Sequence, residues 1–488
     1  MAENCINVPA NLTLKGRLGF LLKDSAIYGG AMAIGKAFAL ITFPLLARHF
    51  SVSEYGVLDY FLVLLNLLII LFSFGQDSAV ARYFFEYEET ADRRQLISQS
   101  LIFQLGGLCL FLPFIWLNAD LLAMLLLNEI NSELLLKLVL LQLPFTLLIF
   151  FSQGILRLTF SRAQFLFMSL GFTVVQAVLL VIAVIFFDVG IEGILLVNLI
   201  TSAIFASLGL FFVRQWITLP KNFLRLREIL PFAIPYGVIC CASAFSPILE
   251  RTLTIDLLEN EDLGIYAVGT KISMLLGLIV SAFHSSWGPF SLSLYKQVNA
   301  SRTFNWIFKL FTICICMSVL ILTLAAQPLI HWLASDRYSS AVMVVFPLAM
   351  GLAIQATSWI SEIGIVISKR SHLNFYSYTA ALAATSTGIC LLTPIFGLLG
   401  VGLGVLLGQI IKALISSWLA QRAYPLPWHY KPVMLVLSIT LVGGLIATWL
   451  HIEHGSFHAN TAIIFSMLLV LGVGWRVILK NLIPKSLL

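Results

Sequence analysis

The stretch "ARHFSVSEYGVLDYF" (residues 47–61) is a polar interruption between two apolar runs, and its pattern returns in "LTIDLLENEDLGIYAVGTK" (residues 253–271). In each copy an apolar run ends, acidic and polar residues follow, and a glycine precedes a second apolar run. The two glycines, Gly56 and Gly264, are 208 positions apart. This recurrence predicts two similar halves, each with the same turn between its first two helices.

The composition excludes a soluble protein. Of the 488 residues, 60% are hydrophobic and 11% are charged, and the mean hydropathy is +0.98. A soluble domain is about 25% charged. The apolar blocks are long enough to cross a hydrocarbon core of ~30 Å as helices, whereas a β-barrel would show short alternating segments. The sequence therefore predicts an all-α polytopic membrane protein.

The apolar blocks predict about fourteen transmembrane helices, and the segment 118–133 is too short to span and is placed at the interface. We expect two six-helix lobes and a C-terminal helix pair, with domains at residues 1–219, 220–424 and 425–488. The predicted spans are 25–47, 56–80, 96–117, 134–156, 163–187, 192–213, 229–250, 263–290, 304–328, 341–367, 373–395, 399–421, 432–450 and 459–479.

The basic residues orient these spans. Of the 29 Lys and Arg residues, 21 fall at one set of span ends, and Arg48, Arg251 and Arg337 fall at the other. Cytoplasmic ends carry such an excess of Lys and Arg. The pattern predicts a multi-pass protein of the cytoplasmic (inner) membrane with both termini in the cytoplasm. The net charge of +6 is then a basic fringe at the membrane surface, not a footprint for nucleic acid.

The halves are expected to have the same orientation in the membrane, because each contains an even number of helices. This is a parallel pseudo-two-fold repeat about an axis along the membrane normal, with the substrate path between the lobes. The alternative is that glycine and acidic residues recur in the two turns only because short loops between helices favour them.

Three stretches carry a family resemblance: "KDSAIYGGAMAIGKAFALITFPLLARHFSVSEYG" (23–56), "GQDSAVARYFFEYEE" (75–89) and "SAFHSSWGPFSLSLYK" (281–296), the last with Trp287 and Pro289. They resemble polysaccharide biosynthesis proteins, the O-antigen and capsule-repeat flippases of the multidrug/oligosaccharidyl-lipid/polysaccharide exporter superfamily. The resemblance implies two six-helix bundles around a central cavity that opens alternately to each side. It also implies a polyprenyl-pyrophosphate-linked oligosaccharide as cargo, with membrane lipids, polysaccharide polymerase and chain-length proteins as further partners.

Five charged residues lie well inside predicted spans. A charge at the centre of a span costs about 2.5–3.5 kcal/mol on insertion scales, so these side chains are expected to face a partner or a wet cavity. Polar stripes on the fourth, tenth and twelfth spans either line the same interior or hydrogen-bond neighbouring helices. The five residues are Lys36, Asp77, Lys271, Glu362 and Lys412.

The cations suit a pyrophosphate because Lys and Arg bind phosphate oxygens. Lys36, Lys271 and Arg251 are the first candidates for this site, and Arg48, Arg157 and Lys412 are further ones. The alternative for the arginines is an ordinary role at span ends, where long side chains reach the membrane surface. Arg251 could also form a local ion pair with its neighbour Glu250.

The carboxylates suggest ion coupling. A buried carboxylate can load and release a proton, so Asp77 and Glu362 are candidates for H⁺ or Na⁺ coupling. The alternative is a salt bridge to Lys36 or Lys412.

Proline and glycine mark hinges and close contacts. Proline removes a backbone hydrogen bond and kinks a span, so hinges are expected at Pro44, Pro144, Pro231, Pro235 and Pro347. The glycines of "GLLGVGLGVLLG" (397–408) recur at spacings of three and four, which favours close helix packing over a binding role.

The sequence contains no catalytic constellation, no phosphate-cradling Gly-Lys-Ser/Thr loop and no pattern that requires a cofactor or metal. A transporter is therefore expected, not an enzyme. Within the superfamily, an ion-coupled drug exporter and a peptidoglycan-precursor flippase are the alternatives. A polysaccharide polymerase or ligase is less consistent with the short outer loops.

Overall fold

The computed structural model describes residues 35, 38, 41–127, 133–295, 300–368, 370 and 372–482. Across these residues the regular structure is helical, with seventeen α-helices, two short 3-10 helices and no strand. The expected all-α membrane fold is confirmed. Most of the first predicted span, including Lys36, lies outside the described residues, although residues 41–49 are helical.

The helices divide into two series. The first contains α1 (Val52–Ser73), α2 (Gln76–Tyr83), α3 (Thr90–Leu117), α4 (Ala119–Leu127), α5 (Glu133–Leu158), α6 (Arg162–Phe187), α7 (Ile191–Val213) and α8 (Leu224–Leu257). The second contains α9 (Asn260–Ser273), α10 (Leu276–Leu294), α11 (Ala300–Leu333), α12 (Val342–Ser361), α13 (Ile363–Ile367), α14 (Leu373–Phe396), α15 (Leu398–Ala423), α16 (Tyr430–His454) and α17 (Ser456–Leu482).

Twelve of the helical segments in the described part of the chain are long and apolar enough to cross a membrane. They coincide with twelve of the fourteen predicted spans. The eighth predicted span is divided into α9 and α10, of 14 and 19 residues. The interfacial segment contains α4, whose nine residues are too short to cross.

The chain forms two compact units, Met1–Ile248 and Leu249–Leu488. The first has an apolar core of buried residues from α2, α3, α5, α6, α7 and the beginning of α8, around Phe84, Leu96 and Met168. A smaller core in the second unit surrounds Tyr266, Val344 and Val401. The boundaries predicted from the sequence at residues 219 and 424 stay predictions.

A break separates α1 from α2 and fixes the direction of the shorter helix. Phe74 and Gly75 are both left-handed, with φ of 40° and 71°. A Cβ on Gly75 would lie 2.6 Å from the carbonyl oxygen of Ala233, and one on Gly237 would lie 2.7 Å from the carbonyl oxygen of Phe74. The break therefore packs directly on the backbone of α8. A side chain at Gly75 or Gly237 would prevent this close contact.

The glycines of α15 bring it into backbone contact with α14. A Cβ on Gly404 would lie 2.5 Å from the amide nitrogen of Ile389, and one on Gly400 would lie 2.4 Å from the carbonyl oxygen of Leu392. A Cβ on Gly408 would lie 1.9 Å from the side-chain oxygen of Thr385 and 3.0 Å from the carbonyl oxygen of Ala381. The interpretation of this glycine series as a packing surface is confirmed for these three glycines, whereas a Cβ on Gly397 would have no neighbour within 4 Å.

The C-terminal helices α16 and α17 pack on each other and on α11. Helix α16 also contacts α12, where Gly444 leaves room for the ring of Phe346. The pair is thus an integral part of the second unit.

Each proline predicted as a hinge lies within helical residues, with Pro44 in the segment 41–49, Pro144 in α5, Pro231 and Pro235 in α8, and Pro347 in α12. Their role as hinges stays a prediction.

Candidate transport sites

A cavity of about 400 Å³ lies in the first unit between α2, α3 and α5. Its polar lining comes from Asp77, Ser78, Ser100 and Arg157. Aromatic rings complete it, including Phe85, Phe151 and Phe160. Two of the residues predicted from sequence, Asp77 and Arg157, thus lie on one cavity, which is called the first-unit cavity below.

The break before α2 accounts for the position of Asp77. Because Gly75 is the N-terminal cap of α2, Asp77 lies in the first turn of the helix, where the helix dipole favours a negative charge. Arg157 lies in the last turn of α5, where the dipole favours a positive charge. The two side chains interact electrostatically. The local backbone therefore stabilises both charges on the cavity wall.

Gln76 directly precedes the cavity residue Asp77 in the sequence, and its side chain is fully buried. Among the described residues, neither its amide nitrogen nor its amide oxygen has a hydrogen-bond partner. A buried polar group without a partner costs about 1–3 kcal/mol. Such a cost is typical of a functional position, since packing alone would favour an apolar residue there.

The second unit contains a buried ion pair. Lys412 of α15 is 1% exposed, and its Nζ lies 3.8 Å from Glu362 Oε1. Ser358 Oγ donates a hydrogen bond of 2.9 Å to the same carboxylate oxygen. The salt bridge between Glu362 and Lys412, which the sequence left as an alternative to ion coupling, is present in the structure.

The surroundings of this pair are aromatic and close-packed. The Lys412 ammonium lies 4.5 Å from the ring centre of Tyr378 on α14, which adds a cation–π attraction. His284 of α10 packs on Trp359, with ring centres 4.1 Å apart, and interacts electrostatically with both charges of the pair. Glu362 itself stands at the junction of α12 and α13. The carboxylates of both sites therefore lie at or directly after a helix break.

Arg251 belongs to a second buried cluster, formed by α8 and α9. Its side chain is 2% exposed, and its guanidinium lies 5.7 Å from the ring centre of Tyr266. Tyr266 Oη donates a hydrogen bond of 2.7 Å to Glu250 Oε2. These contacts place Arg251 in a packed polar cluster of the second unit.

Three predicted cations remain, and the structure describes two of them. Lys271 is half-buried in the last turn of α9. Arg48 is exposed at the end of the helical residues 41–49. Lys36 lies outside the described residues.

The polar stripe of the fourth span shows helix–helix hydrogen bonding. Gln142 Nε2 donates a hydrogen bond of 3.3 Å to Ser202 Oγ of α7. The stripes of the tenth and twelfth spans instead meet at Glu362 and Lys412.

Sequence reasoning missed Asp59, a carboxylate of α1 that is only 2% exposed. It stands in the repeated stretch itself and falls within the second predicted span, which was a sufficient signal. The role of Tyr378 had no such signal, since an aromatic residue in an apolar run is ordinary. Among the described residues, no group of three or more His, Cys, Asp or Glu could hold a metal.

Comparison with known proteins agrees with this architecture. The model of a family described as "Polysaccharide biosynthesis protein" matches residues 21–295. An uncharacterized membrane protein of Haemophilus influenzae is 24% identical over 343 residues, which cover 68% of this chain and 81% of that protein.

Two solved transporters share the fold. The lipid II flippase MurJ, in its inward closed conformation, aligns with a TM-score of 0.70 and 16% identity over 92% of this chain and 98% of MurJ. A MATE transporter of Vibrio cholerae aligns with a TM-score of 0.59 and 16% identity over 82% of this chain and 95% of that chain.

The fold is that of a polytopic α-helical membrane protein, and it is shared with two solved transporters. The family model matches residues 21–295, which is more than half of the sequence, and this match assigns the chain to a family. The chain belongs to the polysaccharide biosynthesis protein family.

Proposed function

We propose that this protein translocates a polyprenyl-pyrophosphate-linked oligosaccharide across the cytoplasmic membrane by alternating access. Its product would serve the synthesis of a cell-surface polysaccharide such as O-antigen, capsule or exopolysaccharide. The observation that carries the proposal is the first-unit cavity, where an arginine, hydroxyl groups and aromatic rings share one wall in a chain of this family.

The lining of this cavity matches the chemistry of such a cargo. The Arg157 guanidinium can donate paired hydrogen bonds to phosphate oxygens. Ser78 and Ser100 can bind sugar hydroxyls, and the faces of Phe85 and Phe160 can pack on sugar rings. A volume of about 400 Å³ is in the range of small-ligand sites, so it would hold the pyrophosphate and adjoining sugars and not a whole oligosaccharide.

Of the predicted cations, Arg157 is therefore our principal candidate for cargo binding. Lys36, Lys271 and Arg48 stay predicted contributors. Arg251 and Lys412 are held in packed clusters, and contact with cargo would require those clusters to open.

We propose Asp77 and Glu362 as the groups that couple transport to H⁺ or Na⁺. Each carboxylate faces a cation, Arg157 or Lys412. Loss of its charge would weaken that attraction, so ion binding and the conformation of each site are linked. Flux that is unchanged when ion gradients are collapsed would contradict this role.

The excess of Lys and Arg at one set of span ends supports cytoplasmic termini in the inner membrane. Polysaccharide polymerase and chain-length proteins are proposed partners because they would act on the translocated product. Reporter fusions at both ends of the chain test the topology.

An ion-coupled drug exporter is the second candidate. The observation in its favour is the presence of Asp77 on the first-unit cavity, since exporters of this superfamily are expected to have carboxylates there. The fold is also shared with MATE transporters.

Deletion of the gene followed by lipid analysis separates the two candidates. A flippase predicts accumulation of polyprenyl-pyrophosphate-linked repeat units on the inner face of the membrane. Unchanged glycolipids with altered drug sensitivity would overturn the proposal and favour the exporter.

Complementation of the deletion strain tests the cavity itself. Arg157→Gln should fail to restore export at normal protein level, and Arg157→Lys should restore part of it because the positive charge is kept. The matched control is Arg214→Gln, which removes an exposed arginine that packs on Phe211 and does not line the cavity. Normal export by Arg157→Gln would remove this arginine from the mechanism.

A further inference from the structure

A second cleft, of about 330 Å³, lies between α12, α15 and α16, with Phe308 of α11 at its base. We call it the α15–α16 cleft. Most of its wall is apolar, including Leu414, Trp418 and Met434, which are each about half exposed. In a membrane, half-exposed apolar side chains of spanning helices face acyl chains. The cleft therefore opens toward lipid and can accept part of an acyl chain.

One end of the cleft is polar and cationic. Gln421 and Tyr430 line it where α15 ends and α16 begins. The next residue after each of them, Arg422 and Lys431, is exposed. The Arg422 guanidinium lies 3.9 Å from the ring centre of Trp418, which itself lines the cleft. One cation thus packs on the wall of the apolar cleft near its polar end, and a second exposed cation follows Tyr430 directly in the sequence.

The connection between the two helices is held in place, so this polar end is preorganised. Asn305 of α11 donates a hydrogen bond of 2.7 Å to the Pro427 carbonyl and accepts one of 2.6 Å from the His429 amide. Gln421 binds both backbone groups of Leu426, at 2.9 and 3.2 Å. A rigid rim loses less conformational entropy when a ligand binds.

We propose that the α15–α16 cleft binds one anionic glycerophospholipid. An acyl chain occupies the apolar wall, and the phosphate lies between Arg422 and Lys431 with the Tyr430 hydroxyl as a neutral hydrogen-bond donor. Basic pockets between transmembrane helices bind anionic headgroups in this manner. A zwitterionic lipid would fill the same volume but would gain less from the two cations.

The bound lipid would contact serine residues that lie next to the buried ion pair of Glu362 and Lys412. Ser358 and Ser361 line the cleft. Ser358 donates a hydrogen bond to Glu362, and the hydroxyls of Ser361 and Ser417 lie 2.8 Å apart. Occupancy should therefore stabilise the junction of α12 and α13. This proposal is independent of the transported cargo.

The test measures lipid binding to the purified full-length protein, without transport. Native mass spectrometry is performed in detergent with added phosphatidylglycerol or phosphatidylcholine, and thermal unfolding is followed in parallel. We expect preferential binding of phosphatidylglycerol and a higher unfolding temperature with it. Arg422→Gln combined with Lys431→Gln should weaken phosphatidylglycerol binding by roughly thirtyfold, since each surface cation contributes about a factor of five.

A matched control removes the same charge elsewhere. Arg214→Gln combined with Arg370→Gln changes two exposed cations outside the cleft and should leave binding unchanged. Leu414→Trp adds volume at the half-exposed rim with all cations intact, and it should also reduce binding.

Three results with these two lipids would overturn the proposal. They are equal stabilisation by the two lipids, unchanged binding in the double variant of Arg422 and Lys431, and equal losses in that variant and its charge-matched control. The same measurement with undecaprenyl phosphate gives a fourth such result. If the double variant of Arg422 and Lys431 lost binding of undecaprenyl phosphate but kept binding of phosphatidylglycerol, the cleft would hold the polyprenyl chain and the proposal would be overturned.

Discussion

The first-unit cavity and the buried ion pair of the second unit use the same types of charge in opposite ways. Arg157 is exposed on the wall of a cavity, whereas Lys412 is 1% exposed and lies between Glu362 and the ring of Tyr378. The first arrangement leaves a cation available to a ligand. The second encloses the cation between an acidic group and an aromatic ring, although its Nζ has no hydrogen-bond partner among the described residues. Position within an apolar run is therefore insufficient to distinguish a binding charge from a structural one.

The two sites also differ in how their helix breaks are made. The break before Asp77 needs two left-handed residues and direct backbone contact with α8. The junction at Glu362 keeps right-handed backbone angles. The first site thus depends on a distant helix, whereas the second is built from local geometry and side-chain contacts.

The largest effect on stability is expected at Lys412. Lys412→Met leaves Glu362 without its cation in an apolar environment, and breaking a buried pair in this way costs about 3–5 kcal/mol. Lys412→Met combined with Glu362→Gln should recover most of that loss. Thermal unfolding of the purified protein measures both. If the single and double variants were equally destabilised, Glu362 would not be the partner that matters.

Gly75→Ala should cause the next largest loss of stability. The added Cβ meets the backbone of α8 at 2.6 Å, and the left-handed conformation is unfavourable for alanine. Together these effects should cost about 2–4 kcal/mol. The matched control is Gly106→Ala in α3, where a Cβ would have no neighbour within 4 Å. Equal stability of the two variants would show that the break does not depend on α8.

Tyr87 gives a smaller, pH-dependent effect at the edge of the first unit. Its hydroxyl donates to Glu228, which also pairs with Arg225 at 3.0 Å. Tyr87→Phe should cost about 1–2 kcal/mol because it removes a hydrogen bond to a charged group.

Burial, followed by the hydrogen bond to Glu228, raises the pKa of Tyr87 from 10.0 to about 12. Between these pH values the unfolded chain loses a proton that the folded protein keeps, so the free energy of unfolding falls as the pH rises from about 10 to about 12. The slope should be smaller in Tyr87→Phe. Unfolding curves at several alkaline pH values measure it, and identical slopes would contradict the assignment.

The smallest change in stability is expected at Arg157, although its effect on transport should be complete. Arg157→Gln removes an exposed side chain and should alter the free energy of unfolding by less than about 0.5 kcal/mol. Parallel unfolding and export measurements test this separation. A large loss of stability would place Arg157 with Lys412 as a structural cation.

The fold was predictable because a membrane imposes a simple rule on sequence. Each span must be a long apolar helix, so twelve predicted spans coincide with described helices. The breaks at Phe74–Gly75 and at Met274–Leu275 were not predicted, since both lie inside stretches that the sequence assigned to single spans, 56–80 and 263–290. What interrupts these helices is backbone geometry and, at Gly75, packing on a helix far away in the sequence.

The sites were only partly predictable for a related reason. The cost of burying charge identified Asp77, Glu362 and Lys412 as groups that need a partner or water. It did not identify which partner each would have. The position of Asp77 and Arg157 on one cavity and the ring of Tyr378 beside Lys412 depend on the register between helices, which a single sequence does not specify.

The glycine contacts between α14 and α15 have a mechanical consequence. Because the glycines of α15 have no side chains, the two backbones approach so closely that the helices cannot slide or rotate against each other without collisions. The two helices should move as one rigid body, so that Tyr378 and Lys412 keep their relative position. A transport cycle would then displace α14 and α15 as a whole, and the displacement would be largest at the ends of the two helices. A cysteine crosslink between α14 and α15 should therefore leave transport intact.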